Sequence, residues 1–154
     1  MAVKRLATEE KMMLSLAREG RITIAGEGGR PFRKYKVGVT VPSFIKGSFV
    51  SSPGPHIFTV SAPAGYPITD SPVVSFVSGP VAHVNIHKNG NVCIGRFGAA
   101  DTLASITIRT IRLILLDPET FNFASMADSD CEDFCRNLPK RESSLNFQIP
   151  APVI

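Results

Sequence analysis

The segment from Val81 to Ile94 reads VAHVNIHKNGNVCI and places a cysteine shortly after a tight turn. Asn89-Gly90 is a strong two-residue turn signal, and Cys93 follows it. A cysteine at the edge of a sheet, near polar side chains, is accessible enough to react, whereas a structural cysteine usually lies among apolar neighbours inside an element. The segment therefore predicts a reactive thiol at Cys93.

The predicted elements on either side of this segment come in the order helix, strands, helices. Apolar residues recur at helical spacing near the amino terminus and after residue 102, and at alternate positions in three segments between them. The expected elements are a helix from Ala2 or Thr8 to Arg18, strands at Tyr35–Val41, His56–Ala62 and Val73–Val77, a buried helix at Leu103–Leu116 capped by Asp101 or Thr102, and a short helix at Ser129–Leu138. Short connections between the strands favour an antiparallel meander, so the sequence predicts an α+β fold.

Length and composition indicate one globular domain over residues 1–137, followed by an irregular tail over residues 138–154. The chain has 154 residues, of which 44% are hydrophobic and 19% are charged, which excludes a disordered protein. No apolar stretch reaches the ~18–20 residues of a membrane span, and the run from Met12 to Ala17 is too short for a secretory signal. An odd number of cysteines, three, favours a reducing compartment. We therefore expect a cytoplasmic protein without membrane partners.

The excess of basic residues is confined to the first third of the chain. Residues 1–46 carry ten Lys or Arg against four Glu, whereas residues 47–154 carry seven basic and nine acidic side chains. No nucleic-acid-binding signature accompanies the basic cluster at residues 30–36. A solvated basic face is the favoured interpretation, a site for an acidic protein comes second and nucleic acid third, so we expect no nucleic-acid partner.

Several motifs resemble those of the ubiquitin-conjugating enzymes. His83-x-Asn85, followed by Cys93 at the spacing of that family, resembles its His-Pro-Asn…Asn-Gly-x-[Ile/Val]-Cys signature. The other segments with similar counterparts are Gly65–Pro67, Pro72–Phe76, Phe97–Leu103 and Leu115–Pro118, and the resemblance extends from Tyr35 to Asn137. The family's proline, leucine and tryptophan are replaced by Val84, Ile94 and Phe97. These departures favour a divergent enzyme, of the bacterial kind that has its own ubiquitin-like modifier.

The resemblance implies a fold, a reaction and three site residues. The fold would have an amino-terminal helix, a four-stranded meander, an active-site loop, a helix on the sheet and a shortened carboxy-terminal helical region. Cys93 would accept a ubiquitin-like modifier as a thioester from an activating enzyme and pass it to a lysine of a protein substrate. Asn85 would donate a hydrogen bond to the oxyanion, and His83 would support the active-site turn. No cofactor or metal is implied. Dependence on a ligase stays open, because Ile68–Asp70 and Gly98–Ala100 lack the proline-rich forms that dock ligases.

Two other functions stay open at this point. A catalytically silent relative would only bind a ubiquitin-like protein, although such relatives typically lack the cysteine. A cysteine hydrolase would need a histidine within reach of Cys93, for which His87 is the near candidate in sequence. Cys131 and Cys135 are spaced like half a metal site, but a buried helical face is the better interpretation.

Overall fold

The computed structural model describes residues 2–138 as a helix, a four-stranded sheet and two further helices. In chain order the elements are α1 (Ala2–Leu14), β1 (Ile22–Glu27), β2 (Lys34–Val39), β3 (Ser43–Phe44), β4 (Ser51–Ser52), β5 (His56–Ser61), β6 (Val73–Phe76), α2 (Leu103–Ile114) and α3 (Glu132–Arg136). Single 3₁₀ turns at Pro118–Thr120 and Ser129–Cys131 lie between α2 and α3.

The main sheet is an antiparallel meander in the order β1-β2-β5-β6. Alternate residues of β5 are buried, namely His56, Phe58 and Val60, and the same alternation in β6 buries Val74 and Phe76. One face of the sheet is therefore the floor of the core. Helix α2 packs against β5 and against α1. Strands β3 and β4 form a separate two-stranded ribbon.

Helix α2 is fixed at its amino end by side chains from α2 itself and from α1. Thr102 and Ser105 form a reciprocal capping box, in which each side chain accepts a hydrogen bond from the backbone N–H of the other. The buried Glu9 carboxylate accepts hydrogen bonds from the Leu103 N–H at 2.7 Å and from the Tyr66 hydroxyl at 2.6 Å. These contacts join α1, the loop before β6 and α2, and they hold in place a helix that borders the candidate site.

The predicted α+β architecture is confirmed, with differences at the element ends. The first helix ends at Leu14 rather than Arg18, because the N–H groups of Leu16 and Ala17 bond three residues back in turns. Strand β1 and the β3–β4 ribbon were not located from the sequence. The predicted tail at 138–154 lies outside the described residues except for Leu138, and the domain boundary stays a prediction. Within residues 2–138, no helix is long and apolar enough to cross a membrane.

Candidate active site

Cys93 is exposed and lies just after the predicted turn. The turn is closed by hydrogen bonds from the His87 N–H to the Asn91 carbonyl and from the Gly90 N–H to the His87 carbonyl. Gly90 has a φ of 97°, a conformation that a residue with a side chain rarely adopts. The Cys93 N–H donates to the Asn85 carbonyl at 2.9 Å. The Cys93 thiol is therefore exposed to solvent, while hydrogen bonds hold the Cys93 N–H and the turn that precedes it.

A groove of about 370 Å³ runs past Cys93. Its walls are the Cys93–Arg96 segment, the exposed side of α2 and the segment from Glu119 to Asn122. The charged side chains that line it are Arg96, Arg109, Arg112 and Glu119. The groove is open at the surface, so the thiol is accessible to a partner from solvent, which it would not be in an enclosed cavity.

Two of the groove's arginines are held by acids. Arg109 pairs with Asp101 at 3.3 Å and donates to the Ile94 carbonyl at 2.7 Å, so it ties α2 to the residue after Cys93. Arg112 pairs with Asp117 and, at 2.8 Å, with Glu119. The Glu119 side chain is 82% exposed despite this pair. Its carboxylate can therefore also meet a cation that enters the groove.

Asn85 is buried and its side chain holds the segment opposite Cys93. The Oδ1 atom accepts from the Asn122 N–H at 2.8 Å, and Nδ2 donates to the carbonyls of Asn122 and Ser125, both at 3.1 Å. Both amide protons are therefore used within the protein. The oxyanion role expected from the sequence would require one of these two hydrogen bonds to break, so the arrangement as it stands makes Asn85 an anchor for the loop.

His83 is a buried, neutral support for Asn85 and for the Thr120 turn. The Asn85 N–H donates to Nδ1 at 2.9 Å, and Nε2 lies 2.9 Å from the Thr120 hydroxyl. Because that hydroxyl gives its own proton to the Asp117 carbonyl, the ring donates from Nε2. Burial, followed by the nearby charge of Lys46, lowers the pKa of His83 to about 3. A ring with both nitrogens engaged and so low a pKa is not placed to act as a general base for Cys93.

Neither of the other two histidines lines the groove beside the thiol. His87 is exposed and lines a different groove, with Val73 and Val74 of β6. His56 is buried and its ring contacts the Val41 carbonyl at 2.9 Å. In the described part of the chain no histidine lines the Cys93 groove. The Cys–His pair that a hydrolase would need is therefore not assembled here.

A buried ion pair supports the other side of the His83 segment. Lys46 Nζ donates to Asp128 at 2.9 Å and to the His83 carbonyl at 3.0 Å, and the two charged side chains are only 7% and 2% exposed. Burial alone would raise the pKa of Asp128, but the hydrogen bond and charge of Lys46 lower it below its usual value. Asp128 therefore has a structural role as the partner of Lys46.

The two remaining cysteines are part of the interior. Cys131 and Cys135 are buried with Ala82 and Val84 in a small cluster bounded by aromatic side chains. Burial raises the pKa of the Cys135 thiol to about 11, and burial also raises that of Cys131. Among residues 2–138 there is no group of three or more side chains that could hold a metal ion.

Sequence reasoning missed two residues of this groove, Glu119 and Asn122. Two acids further along the chain lie elsewhere: Asp128 is buried, and Asp130 pairs with Lys88 beside a separate groove. The available signal was the helix exit at Asp117-Pro118, which brings the chain back towards Cys93 within a few residues. That signal does not reveal which of the following side chains would face the thiol.

Comparison with known proteins supports the fold. No protein-family model and no curated protein sequence matches the chain. Among solved structures, the chain is similar to the crystal structure of the ubiquitin-conjugating enzyme E2 UbcA1 from Agrocybe aegerita, with a TM-score of 0.50 and 19% sequence identity. The match covers 91% of this chain and 96% of that one. The protein therefore has a ubiquitin-conjugating-enzyme-like fold.

Proposed function

We propose that this protein accepts a ubiquitin-like modifier as a thioester on Cys93 and transfers it to a lysine of a protein substrate. The observation that carries the proposal is the exposed Cys93 thiol in an open groove whose opposite wall is anchored by Asn85. The fold, which is that of a ubiquitin-conjugating enzyme, agrees with this reaction. An activating enzyme would supply the modifier.

The chemistry suits a thiol without a paired base. In the first step the Cys93 thiolate attacks the carbonyl of an incoming thioester, a new C–S bond forms and the donor thiolate leaves. In the second step a neutral amine attacks the Cys93 thioester, a C–N bond forms and the Cys93 thiolate leaves, taking up the proton that the nitrogen loses. A free cysteine has a pKa of ~8.5 and a few per cent is already thiolate near pH 7. The absence of a histidine from the described groove is therefore compatible with the reaction.

The lysine must lose a proton before it attacks, because its ordinary pKa is ~10.4. We propose that Glu119 receives the incoming ammonium, since it is the one acid that lines the described groove with Cys93. Arg112 holds its carboxylate at 2.8 Å without covering it. Asp128, by contrast, is buried and has no such exposure.

The basic face of α1 is proposed as the docking surface for the activating enzyme. Lys4 and Lys11 are exposed and suit this role. Arg5 suits it less well, because its guanidinium donates to the Asp101 carbonyl at 3.0 Å and to the Tyr66 hydroxyl at 3.3 Å. Charge reversal at Lys4 and Lys11 therefore tests this surface, and we expect it to slow the loading of Cys93.

A synthetic peptide thioester with a carboxy-terminal glycine tests the function without knowledge of the natural modifier. The protein is incubated with it, freed of excess reagent, mapped by mass spectrometry and then given free lysine. We expect the acyl group on Cys93, no acylation of the Cys93→Ser variant, and a lysine amide as product. Absence of an acyl group on Cys93 would indicate the silent relative, which only binds a ubiquitin-like protein. Release of the free peptide acid in place of the amide would indicate a hydrolase.

A further inference from the structure

The groove beside Cys93 contains a second asparagine whose side chain is free to donate. Asn122 is exposed and lines the groove together with the thiol. Its Oδ1 atom accepts from the Ala124 N–H at 3.2 Å, which fixes the plane of the amide. Among residues 2–138, its Nδ2 atom has no hydrogen-bond partner.

Two donors next to the thiol, the side-chain amide of Asn85 and the backbone N–H of Cys93, are already engaged. Both Nδ2 protons of Asn85 go to the carbonyls of Asn122 and Ser125. The N–H of Cys93 goes to the Asn85 carbonyl. An oxyanion that forms at the Cys93 thioester would therefore find these groups occupied, and each would have to give up a protein hydrogen bond to stabilise it.

Asn122 is also held in place by the residue that positions the nucleophile. The Asn122 peptide is bound through its N–H and its carbonyl to the Asn85 side chain, while the Cys93 N–H is bound to the Asn85 backbone. Cys93 and Asn122 are thus each hydrogen-bonded directly, through their backbones, to the buried Asn85. A donor that is fixed before the reaction stabilises developing charge without reorganisation at the moment of reaction.

We propose that Asn122 supplies the side-chain hydrogen bond to the oxyanion, and that Asn85 acts through it as a positioning residue. This inference rests on the proposed function. When the lysine nitrogen forms its bond to the thioester carbon, the carbonyl π electrons move to oxygen, and the Asn122 Nδ2–H donates to that oxygen. The electron pair returns to the carbonyl as the C–S bond breaks, the Cys93 thiolate leaves, and the hydrogen bond to the oxygen weakens again.

The test compares lysine attack on the acylated wild type with attack on the acylated Asn122→Ala and Asn122→Asp variants. The acyl group comes from the glycine-terminated peptide thioester, and loading is taken to completion before lysine is added. Asn122→Asp keeps the acceptor for the Ala124 N–H but removes the donor, so it separates oxyanion stabilisation from loop geometry. Loss of such a donor typically slows a reaction about 10²–10³-fold. We expect both variants to lose that factor, and Asn137→Ala, an exposed asparagine after α3 that does not line the groove, to keep the wild-type rate.

Hydrogen exchange over residues 121–126 in each variant shows whether the loop has stayed in place. A wild-type rate in Asn122→Asp, or slowing that occurs only where the loop has loosened, overturns the inference. The proposed function fails separately, if acylated wild type reacts with lysine no faster than the same acyl group on glutathione. If the proposed function fails, the inference about Asn122 fails with it. If only the inference about Asn122 fails, the proposed function still stands.

Discussion

The side chain of Asn85 pairs in both directions with the backbone of Asn122, a residue 37 positions away in the chain. It accepts from the Asn122 N–H at 2.8 Å and donates to the Asn122 carbonyl at 3.1 Å. One amide side chain thereby reproduces the two-way hydrogen bonding of a short β-bridge. This pairing connects the segment before Cys93 to the segment that forms the opposite wall of the groove.

Replacement of Asn85 by alanine should loosen that segment and slow lysine transfer. The variant loses three side-chain hydrogen bonds to the backbone of Asn122 and Ser125, which should lower the free energy of unfolding by about 1–3 kcal/mol. Amide exchange at Asn122 should accelerate, and Cys93 should still accept an acyl group. If transfer slows while exchange at Asn122 stays as in the wild type, Asn85 is itself the oxyanion donor, as the sequence alone suggested.

Acidification should destabilise the protein through His83. Its pKa is about 3 in the folded protein and about 6.5 when unfolded, so between these values the unfolded state binds more protons. Stability from this group is fully present above pH 6.5 and is lost as the pH falls towards 3. By pH 5 the loss should be about 2 kcal/mol. Denaturant unfolding at pH 7 and pH 5 measures it, and His83→Gln should remove this part of the pH dependence.

The exposed His87 provides the control for that experiment. His87→Gln leaves the buried His83 ring in place and should therefore retain the wild-type difference between the two pH values. Equal stability of the wild type at pH 7 and pH 5 would contradict the assignment of His83 as a buried neutral ring.

Two lysine–aspartate pairs should differ widely in their effect on stability. Lys46→Met leaves the Asp128 charge buried and should cost about 3–5 kcal/mol, whereas the additional Asp128→Leu replacement should recover much of that loss. The matched control is the exposed pair of Lys88 with Asp130, whose side chains are 69% and 70% exposed. Lys88→Met should cost less than about 1 kcal/mol. Similar costs for both lysine variants, by denaturant unfolding, would show that Lys46 is not buried with Asp128.

Glu119→Gln should slow transfer to lysine but not to hydroxylamine. Hydroxylamine is largely neutral at pH 7 and needs no carboxylate to remove a proton, whereas lysine does. Such assistance typically contributes about 10²-fold or more. The measurement is the rate of loss of the Cys93 acyl group with each amine, and Asp130→Asn is the control because it lies beside another groove. A uniform loss with both amines would assign Glu119 to the structure of the groove instead.

The exposed position of Cys93 after a tight turn could be predicted from sequence because its signals are local. The turn at Asn89-Gly90 and the spacing from Asn85 to Cys93 are both written within a short segment. The Asn85–Asn122 pairing has no such signal, because it joins distant residues through one side chain and a backbone. The tertiary fold, and not a local sequence motif, brings the segment that contains Asn122 next to Asn85.

Strand β1 could not be predicted from the sequence for a different reason. Its inward positions begin with Ile22 and Ile24 but continue with Gly26, so the apolar alternation stops after two residues. The Phe32 ring covers Gly26, where an added Cβ would lie 2.1 Å from a ring carbon. The apolar side chain of that position is therefore supplied by another residue, which a period-two pattern does not show.

The rate of lysine attack on acylated Cys93, relative to the same acyl group on glutathione, tests the central claim most directly. Both reactions use the glycine-terminated peptide thioester, the same lysine concentration and pH 7. An environment that positions the amine and stabilises the oxyanion should make attack on the protein about 10²-fold faster or more. Equal rates would show that the groove does not promote acyl transfer, and would contradict the proposed enzyme.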